Sequence, residues 1–369
     1  MSRIEQLIQE LCPDGVERVT AGEIAEIGTG NSDRKNAIEN GDFPFYVRSK
    51  EILSIDSYEF DETAIVIPGE GGIGDIFHLV TGKYALHQRA YRIHFTDDRV
   101  NPSFAFYYFQ TKFKRFILSK AVSATVTSIR KPMLTEFPIP LPPLEVQQEI
   151  VRILDQFIEL DRELENEIAG REKQFESLRR ETMHSMRAST DWLPLGAAED
   201  SGMVKLGRGK VISRKTIADS PGNYPVYSSS GAGDGEFGRY GEYTFDDERI
   251  TWSVDGGGKL FYRPAHRYSV TNVSGWLTNL SNLLNTKFLY YALFSQWENE
   301  TFDYTRKAHP SIIRDVYQIP LLPIEVQEEI AGKLDTFTEY INNLKREREL
   351  RRKQYEYYRD QLLDFPVKA

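Results

Sequence analysis

The pattern of hydrophobic and polar positions divides the chain into two halves that predict the same series of elements. Short runs of alternating apolar residues predict strands, and longer aromatic runs predict helices. The predicted strands are TAIVIPG (63–69), YRIHF (91–95), RITWSV (249–254) and YSVTNVSGWL (268–277). The predicted aromatic helices are FAFYYFQTKFKRFILSK (104–120) and KFLYYALFSQWENE (287–300). Each half therefore predicts a domain that mixes helix and sheet.

A proline-rich segment followed by a long proline-free run predicts a long helix at the end of each half. After Pro143 the chain is free of proline and rich in helix formers for about 40 residues, and the run after Pro323 repeats this composition. Both prolines suit a first helical turn, and Glu145 and Glu325 place negative charge near the positive end of the helix dipole. At about 1.5 Å per residue, each helix should be roughly 60 Å long.

The segments that open these helices are near copies of each other. Residues 139–157 read IPLPPLEVQQEIVRILDQF and residues 319–337 read IPLLPIEVQEEIAGKLDTF, with twelve of nineteen positions identical. Unrelated segments would share about one identity, so the chain contains an internal duplication. Within the copies, Gln147 and Gln327 are candidates to orient the domains or to dock partner subunits, as are Glu145 and Glu325; stabilisation of the helix start alone is the alternative.

An apolar seam with seven-residue periodicity runs along both predicted helices. In the first helix it comprises Ile150, Leu154, Phe157, Asp161, Leu164, Ile168, Arg171, Phe175, Leu178 and Thr182. In the second helix it comprises Ile330, Leu334, Phe337, Ile341, Leu344, Arg348, Arg351, Tyr355, Tyr358 and Leu362. The matching seams predict an antiparallel coiled coil that acts as a ruler between two domains. The alternative is that each helix packs only on its own domain.

These observations divide the chain into four parts. We predict a first domain at 1–142, a first long helix at 143–188, a second domain at 189–322 and a second long helix at 323–369. The predicted fold class is α+β, with two similar globular domains separated by two long antiparallel helices and related by an internal pseudo-two-fold.

Loops rich in arginine, lysine, serine and glycine recur at corresponding places in the two halves. Cations and hydroxyl groups bind phosphates, and arginine or serine forms hydrogen bonds with base edges, so this composition is typical of loops that read DNA. The candidates in the first half are Arg34, Lys35, Arg48, Ser49, Lys50, Thr127, Ser128, Arg130 and Lys131. The candidates in the second half are Arg208, Lys210, Arg214, Lys215, Ser228, Ser229, Arg306, Lys307, His309 and Ser311. The alternative is that these loops are polar because loops lie at the surface, and that the glycines only form tight turns.

Composition limits the classes of protein and partner. The formal net charge of −9 argues against DNA binding by bulk electrostatic attraction, so any DNA contact must be local or shared with a partner. The single cysteine, Cys12, excludes an intramolecular disulfide. No apolar run reaches the roughly 18 residues that span a bilayer, and the acidic, amphipathic start is unlike a signal peptide. We expect a cytoplasmic protein of two or three domains.

Sequence motifs for catalysis are missing. There is no GxxxxGKS/T phosphate loop of an ATP-driven motor, no GxGxxG turn that opens a helix between strands, and no Asn-Pro-Pro-Tyr tetrad of an amino-methyltransferase. The six histidines show no metal spacing, and the GEGGIG run lacks the serine of a nucleophile elbow. We predict neither a catalytic constellation nor a metal site.

The repeated PLPPLEVQQEI and PLLPIEVQEEI segments, each between a globular half and a long helix, resemble those of the specificity subunits of type I restriction-modification systems. The opening LIQELCPDGVE is also similar to the start of many members. The resemblance implies two target-recognition domains, each reading one half of an asymmetric, interrupted sequence in double-stranded DNA. It also implies that the chain itself catalyses nothing.

The same resemblance implies partners and their cofactors. Two modification subunits would bring S-adenosylmethionine and methylate adenine, and restriction subunits would act as motor-nucleases with ATP and magnesium. The acidic balance fits this assembly, because the modification subunits can supply much of the phosphate contact. Two alternatives stay open: the recognition part of a methyltransferase-nuclease fusion, and a coiled-coil adaptor that binds protein rather than DNA.

Overall fold

The computed structural model describes residues 2–120, 128–229, 233–303 and 305–368. Its internal contacts divide the chain into two compact units, residues 1–165 with 347–369 and residues 166–346. Each unit contains one globular half with parts of both long helices, and each mixes helices with sheets. The predicted α+β class is therefore confirmed.

In the part of the first half that the structure describes there are eight strands and six helices. The strands are β1 (Glu17–Thr20), β2 (Ala25–Thr29), β3 (Phe43–Tyr46), β4 (Ile52–Ile55), β5 (Phe60–Pro68), β6 (His78–Leu86), β7 (Ala90–Phe95) and β8 (Pro138–Leu141). The helices are α1 (Arg3–Leu11), α2 (Ala21–Ile24), α3 (Pro102–Tyr108), α4 (Lys114–Lys120), α5 (Lys131–Thr135) and the long α6 (Leu144–Ser189). A 3₁₀ turn lies at Arg34–Asn36, and a π-helical turn at Phe109–Phe113 joins α3 to α4.

The second half repeats this order. Its strands are β9 (Trp192–Pro194), β10 (Val204–Arg208), β11 (Pro221–Tyr227), β12 (Glu236–Tyr240), β13 (Arg249–Ser253), β14 (Leu260–Arg263), β15 (Ser269–Val270), β16 (Ser274–Asn279) and β17 (Gln318–Pro320). Its helices are α7 (Leu195–Asp200), α8 (Arg214–Asp219), α9 (Thr286–Trp297), α10 (Pro310–Val316) and the long α11 (Ile324–Leu362). The predicted strands and aromatic helices are confirmed, except that the single strand expected at 268–277 is divided into β15 and β16 by a turn.

Sheet topology is the same in both halves apart from one broken strand. The first half has a six-stranded sheet in the order β2-β7-β5-β6-β3-β4, and the second has β10-β16-β13-β14 beside β12-β11-β15. The nine-residue β6 pairs with β5 and, in parallel, with β3. Its counterpart is split into β14 and β15, and Pro264 follows β14 directly, where it has no N–H to donate to a ladder. A two-stranded ladder, β1-β8 or β9-β17, leads into each long helix.

A buried glutamine fixes the start of α6 in the first unit. The amide of Gln147 donates from Nε2 to the carbonyl oxygens of Arg99 (2.8 Å) and Pro142 (2.7 Å). Its Oε1 accepts the backbone N–H of Asn101 (2.8 Å), the residue that caps α3. Because Gln147 is fully buried, each of these bonds is protected from water. The amide thus orients the domain on its helix.

The second unit repeats the contact with Gln327. Its Nε2 donates to the carbonyl oxygens of Leu283 (2.9 Å) and Leu322 (2.8 Å), and its Oε1 accepts the N–H of Asn285 (2.9 Å), which caps α9. A tyrosine of each aromatic helix also donates to an aspartate of the long helix in its unit. These pairs are Tyr107 with Asp155 in the first unit and Tyr291 with Asp335 in the second.

Within each unit, the beginning of one long helix packs against the end of the other. In the first unit Phe157 of α6 lies against Tyr355 and Tyr358 of α11, with ring centroids 6.1 and 5.9 Å apart. In the second unit Phe175 of α6 lies 6.5 Å from Phe337 of α11. The predicted antiparallel pairing is therefore confirmed in both units.

A bidentate ion pair joins two of the charged residues in the seams, Asp161 of α6 and Arg348 of α11. Both oxygens of Asp161 accept from Arg348, at 2.9 and 3.0 Å, and from Arg352, at 2.8 and 3.0 Å. Shifting the pair by the repeat length of 180 residues leads to Ile341 and Ile168, which are both buried in the second unit. One pair of seam positions is thus ionic in the first unit and apolar in the second.

The buried glutamine predicts that Gln147→Leu destabilises the first unit alone. Three backbone groups would lose their partner, and each unsatisfied buried group costs about 1–3 kcal/mol. All four tryptophans lie between residues 192 and 297, in the second unit. Circular dichroism should therefore show an early transition in Gln147→Leu while tryptophan fluorescence melts as in the wild type. Gln148→Leu, at the exposed neighbouring position, is the matched control and should change neither signal.

The ionic seam pair predicts opposite effects of single and double replacement. Asp161→Ile leaves Arg348 and Arg352 without this carboxylate and should destabilise the first unit by about 1–3 kcal/mol. Asp161→Ile with Arg348→Ile copies the apolar pair of the second unit and should be neutral or stabilising by about 1–4 kcal/mol. Urea unfolding followed by circular dichroism measures both. A double variant less stable than the single one would contradict the assignment.

The same pair predicts a pH dependence. The two guanidinium groups hold the pKa of Asp161 far below its usual range. Since the folded state favours the carboxylate, this stabilisation is complete above the ordinary pKa of about 4 and declines as the pH falls further. The stability difference between wild type and Asp161→Ile should accordingly shrink between about pH 4 and pH 2.

Candidate nucleic-acid interface

A glycine brings two loops into contact in each half. A Cβ on Gly30 would lie 1.8 Å from the carbonyl oxygen of Leu86, and a Cβ on Gly209 would lie 2.0 Å from that of Val270. Only glycine permits so close an approach of two backbones. The backbone N–H groups of Ser32, two residues after Gly30, and of Lys210, directly after Gly209, donate to the same carbonyl oxygens, at 3.2 and 3.0 Å. Gly30 and Gly209 thus fix equivalent loop crossings in the two halves.

A second backbone bond anchors the basic loop of each half beside this crossing. The N–H of Ile129 donates to the carbonyl oxygen of Gly69 (2.8 Å), and the N–H of Ala308 donates to that of Val254 (3.1 Å). Ile129 and Ala308 are buried. The candidate residues beside them, among which are Arg130 and Lys307, are consequently held at the surface.

Two neighbouring clefts in the first half contain five of the predicted residues. The first, of about 260 Å³, is lined by Arg34, Val47, Arg48, Ser49, Glu70, Gly71 and His87. The second, of about 190 Å³, is lined by Thr29, Gly69, Glu70, Gln88, Arg89, Tyr91, Ser128, Ile129 and Arg130. Glu70 lines both clefts, so three separate loops meet around one carboxylate.

Glu70 is the centre of the charge arrangement. Its Oε2 accepts from Nη1 of Arg48 at 3.0 Å and from Nη1 of Arg89 at 3.1 Å. Hydrogen bonds from Arg89 and Arg48 hold the pKa of this carboxyl below its usual value. Burial, with the nearby positive charge of Arg48, lowers the pKa of His87. The site is therefore an ionised carboxylate between two arginines, beside a histidine that favours its neutral form.

The remaining first-half candidates stand apart from these contacts. Lys35 and Lys50 are exposed, and Lys131 is the exposed first residue of α5 rather than part of a loop. Thr127 lies outside the described residues. Pro132 explains the helix at this place, because proline suits the first helical turn.

In the second half, the basic loop is held by acidic partners. Lys307 lies 2.8 Å from Asp255, and Arg306 lies 2.9 Å from Glu300. His309 is the N-cap of α10, where its Nδ1 accepts the backbone N–H of Ser311 at 3.4 Å. Since Pro310 opens this helix, Ser311 is helical rather than in the expected loop. His309 and Ser311 thus have a structural role at the helix start.

Four of the other second-half candidates lie near the equivalent loop crossing. Arg208 donates to the carbonyl oxygen of Asn272 (2.9 Å from Nε), and Lys210 is exposed at the bridge to Thr271. The hydroxyl of Ser228 accepts from Thr271 (3.0 Å), and the carbonyl oxygen of Ser229 accepts from Ser253. The last two are Arg214, which lies 5.6 Å from the ring of Phe237, and Lys215; both are exposed and lie on α8.

Sequence reasoning missed the acidic residues and Arg89. Glu70 follows β5 and Asp255 follows β13, each one residue beyond the carbonyl that anchors the basic loop. Neither carboxylate belongs to a recognisable motif, because its cationic partners are distant in sequence. Arg89, in the turn HQRAY between β6 and β7, carried only the general signal of a basic residue in a loop.

The described residues offer neither a metal-binding cluster nor a membrane-spanning helix. These residues contain no group of three or more His, Cys, Asp or Glu side chains placed to hold a metal ion. In the same part of the chain, every helix is too short or too polar to cross a bilayer.

Comparison with known proteins gives consistent matches. Residues 13–170 and 201–352 match the model of the type I restriction modification DNA specificity domain. A Mycoplasma pneumoniae protein named as a type I specificity subunit is 31% identical over 239 residues, which cover 61% of this chain and 92% of that protein. The MpnII type I restriction enzyme specificity subunit of the same organism is 32% identical over 181 residues, covering 47% of this chain and 54% of that one.

Two solved structures share the fold. The S subunit of a type I restriction-modification system from M. genitalium superposes with a TM-score of 0.63 at 17% identity, covering 95% of this chain and 96% of that one. The HsdS subunit of Thermoanaerobacter tengcongensis gives a TM-score of 0.51 at 16% identity, covering 96% and 97%. At these identities the likeness concerns the fold alone.

The loop crossing predicts that Gly30 and Gly28, two residues apart, differ in their tolerance of a side chain. Gly30→Ala would force a Cβ against the Leu86 carbonyl and should destabilise the first unit by about 1–3 kcal/mol or more. Gly28→Ala is the matched control, because the nearest atom to its Cβ would be 4.0 Å away. Circular dichroism melting should show the loss for Gly30→Ala only, and equal effects would contradict the close approach.

Proposed function

The chain belongs to the family of type I restriction-modification DNA specificity proteins, and from that membership we propose that it selects the DNA sequence on which a type I complex acts. Each half reads one half-site of an asymmetric, interrupted sequence in double-stranded DNA. Catalysis belongs to partner subunits: modification subunits that carry S-adenosylmethionine and restriction subunits that use ATP and magnesium. This chain supplies recognition and the places where those partners dock.

The proposal rests on one observation. The two halves share a backbone frame, which consists of the loop crossing and the loop anchor, but they differ in the side chains beside it. Gly30 and Gly209 create equivalent loop crossings, and Gly69 and Val254 anchor equivalent basic loops. Around these fixed points the exposed residues differ. Backbone hydrogen bonds do not depend on side-chain identity. The same backbone frame can therefore place different side chains against different bases.

Differences between the halves support an asymmetric target. The first half presents arginines at positions 48 and 89 next to a carboxylate, whereas the second presents Lys307 beside Asp255. Arginine offers a planar fork that suits guanine, while lysine acts as a point charge. Two half-sites of the same sequence would not need such different side chains.

The length of the two long helices is proposed to set the number of base pairs between the half-sites. The boundary between the compact units falls between residues 165 and 166 of α6 and between 346 and 347 of α11. A heptad inserted at both points keeps the seven-residue seam periodic. Seven residues at about 1.5 Å each add roughly 10 Å, or about three base pairs at about 3.4 Å.

The experiment is to map methylated adenines in cells that express this chain with its cognate modification subunits. We expect one bipartite sequence for the wild type. The double heptad insertion should lengthen the gap by about three base pairs and leave both half-sites unchanged. Altered half-sites, or loss of all methylation, would contradict the proposal that helix length sets the gap between the half-sites.

The control inserts the heptad into α6 alone. Seven residues would then lack a partner on α11, so the coiled coil should be destabilised rather than lengthened. Methylation without any common sequence in the wild type would overturn the recognition function itself. Binding of the assembled complex to duplexes without sequence preference would instead favour an adaptor that recognises protein.

A further inference from the structure

A carboxylate occupies the same place in both halves, at the end of the central strand. Glu70 is the second residue after β5, and Asp255 is the second residue after β13. Each directly follows the residue whose carbonyl oxygen anchors the basic loop, Gly69 or Val254. An acidic residue repels phosphates, so its presence at both equivalent positions of a DNA-facing cluster needs a reason.

The cations around the two carboxylates come from different loops. Arg48 and Arg89 bind Glu70 in the first half. In the second half the corresponding backbone positions belong to Ser229 and Val273, as their equivalent backbone hydrogen bonds show, and Lys307 of the basic loop binds Asp255 instead. The carboxylate is therefore retained while its cationic partners change.

The geometry points to Glu70 as a positioning residue that aims Arg48 and Arg89 at bases and keeps them from phosphates. We infer the same role for Asp255 with Lys307. Both assignments rest on the proposed DNA-reading function. They add that the sequence selectivity of each half depends on this carboxylate, Glu70 or Asp255. The carboxylate itself need not touch DNA.

The hydrogen bonds explain how aiming works. Among the residues that the structure describes, the side chains of Arg48 and Arg89 donate only from Nη1, and only to Glu70. The edge formed by Nε and Nη2 stays open on each guanidinium, and such an edge can bind guanine O6 and N7 in a bidentate manner. Because Glu70 accepts from Nη1, on the other side of each guanidinium, it orients the plane of the group before DNA binds.

Electrostatics explains the selectivity. A free, exposed arginine binds any phosphate, and phosphate contacts supply most non-specific affinity. Glu70 neutralises one of the two charges and repels a nearby phosphate. It therefore weakens binding to all sequences alike, whereas a matching base edge recovers the loss through directed hydrogen bonds.

The test uses the complex of the full chain with its modification subunits and the duplex that wild-type methylation defines. Glu70→Gln keeps the size of the side chain and an acceptor oxygen but removes the charge. The ratio of affinities for the correct duplex and for one altered in the first half-site should fall about tenfold or more. Binding to the altered duplex should tighten, and its logarithmic salt dependence should steepen by about 1 to 2, because two arginines become available to phosphates.

A second variant separates aiming from charge. Glu70→Asp keeps the negative charge but is one methylene shorter, so it cannot reach both guanidinium groups in the same geometry. Selectivity should fall in this variant while the salt dependence stays near that of the wild type. Asp255→Asn should relax only the other half-site.

Asp75→Asn is the matched control. Asp75 belongs to the same glycine-rich loop and pairs with Lys114 at 2.7 Å, but it lines neither cleft. It should change neither selectivity nor salt dependence. If Glu70→Gln behaves like this control, or weakens all sequences equally, the inference is overturned and the proposed function stands. If the wild-type complex prefers no sequence, the proposed function fails and the inference with it.

Discussion

The buried amide at the start of each long helix is the contact on which the arrangement of each unit depends. Gln147 and Gln327 each bind three backbone groups at the point where strand, aromatic helix and long helix meet. An amide supplies both donors and an acceptor from one planar group. A glutamate at this position would have no N–H to donate, and a leucine would leave all three backbone groups unsatisfied. This accounts for the glutamine in the duplicated segment.

The paired helices are similar in sequence but complementary in charge. Residues 159–172 of α6 contain six acidic and two basic side chains, and residues 340–353 of α11 contain six basic and two acidic ones. If α6 paired in the same register with a second copy of itself, Asp161 would face an isoleucine, the residue at 168, and carry a charge without a partner. Leaving a partly buried charge without a partner is costly. The exchange of an apolar pair for an ionic pair between the two units thus favours pairing of the first helix with the second.

The sequence predicted the secondary-structure elements better than it predicted which side chains contact each other. Periodicity and proline placement located the long helices, and the duplication predicted a repeated fold, because both signals depend on local spacing along the chain. The seam positions also predicted antiparallel pairing, but not that Asp161 would be the partner of Arg348. Such partners are set by tertiary register across nearly 190 residues. For the same reason the loop candidates were chosen by composition, and Glu70, Asp255 and Arg89 were missed.

The loop frame explains why recognition can change without loss of the fold. The crossing at Gly30 and the anchor at Gly69 are made by backbone atoms, and the side chains that they require are either absent, as in glycine, or buried, as in Ile129. Exposed neighbours such as Arg48 contribute little to stability, because salt bridges between exposed groups are worth about 1 kcal/mol or less. Substitution at these positions is therefore limited by DNA selectivity rather than by folding. A duplicated domain with this property can diverge in what it reads while its two copies keep the same contacts with their helices.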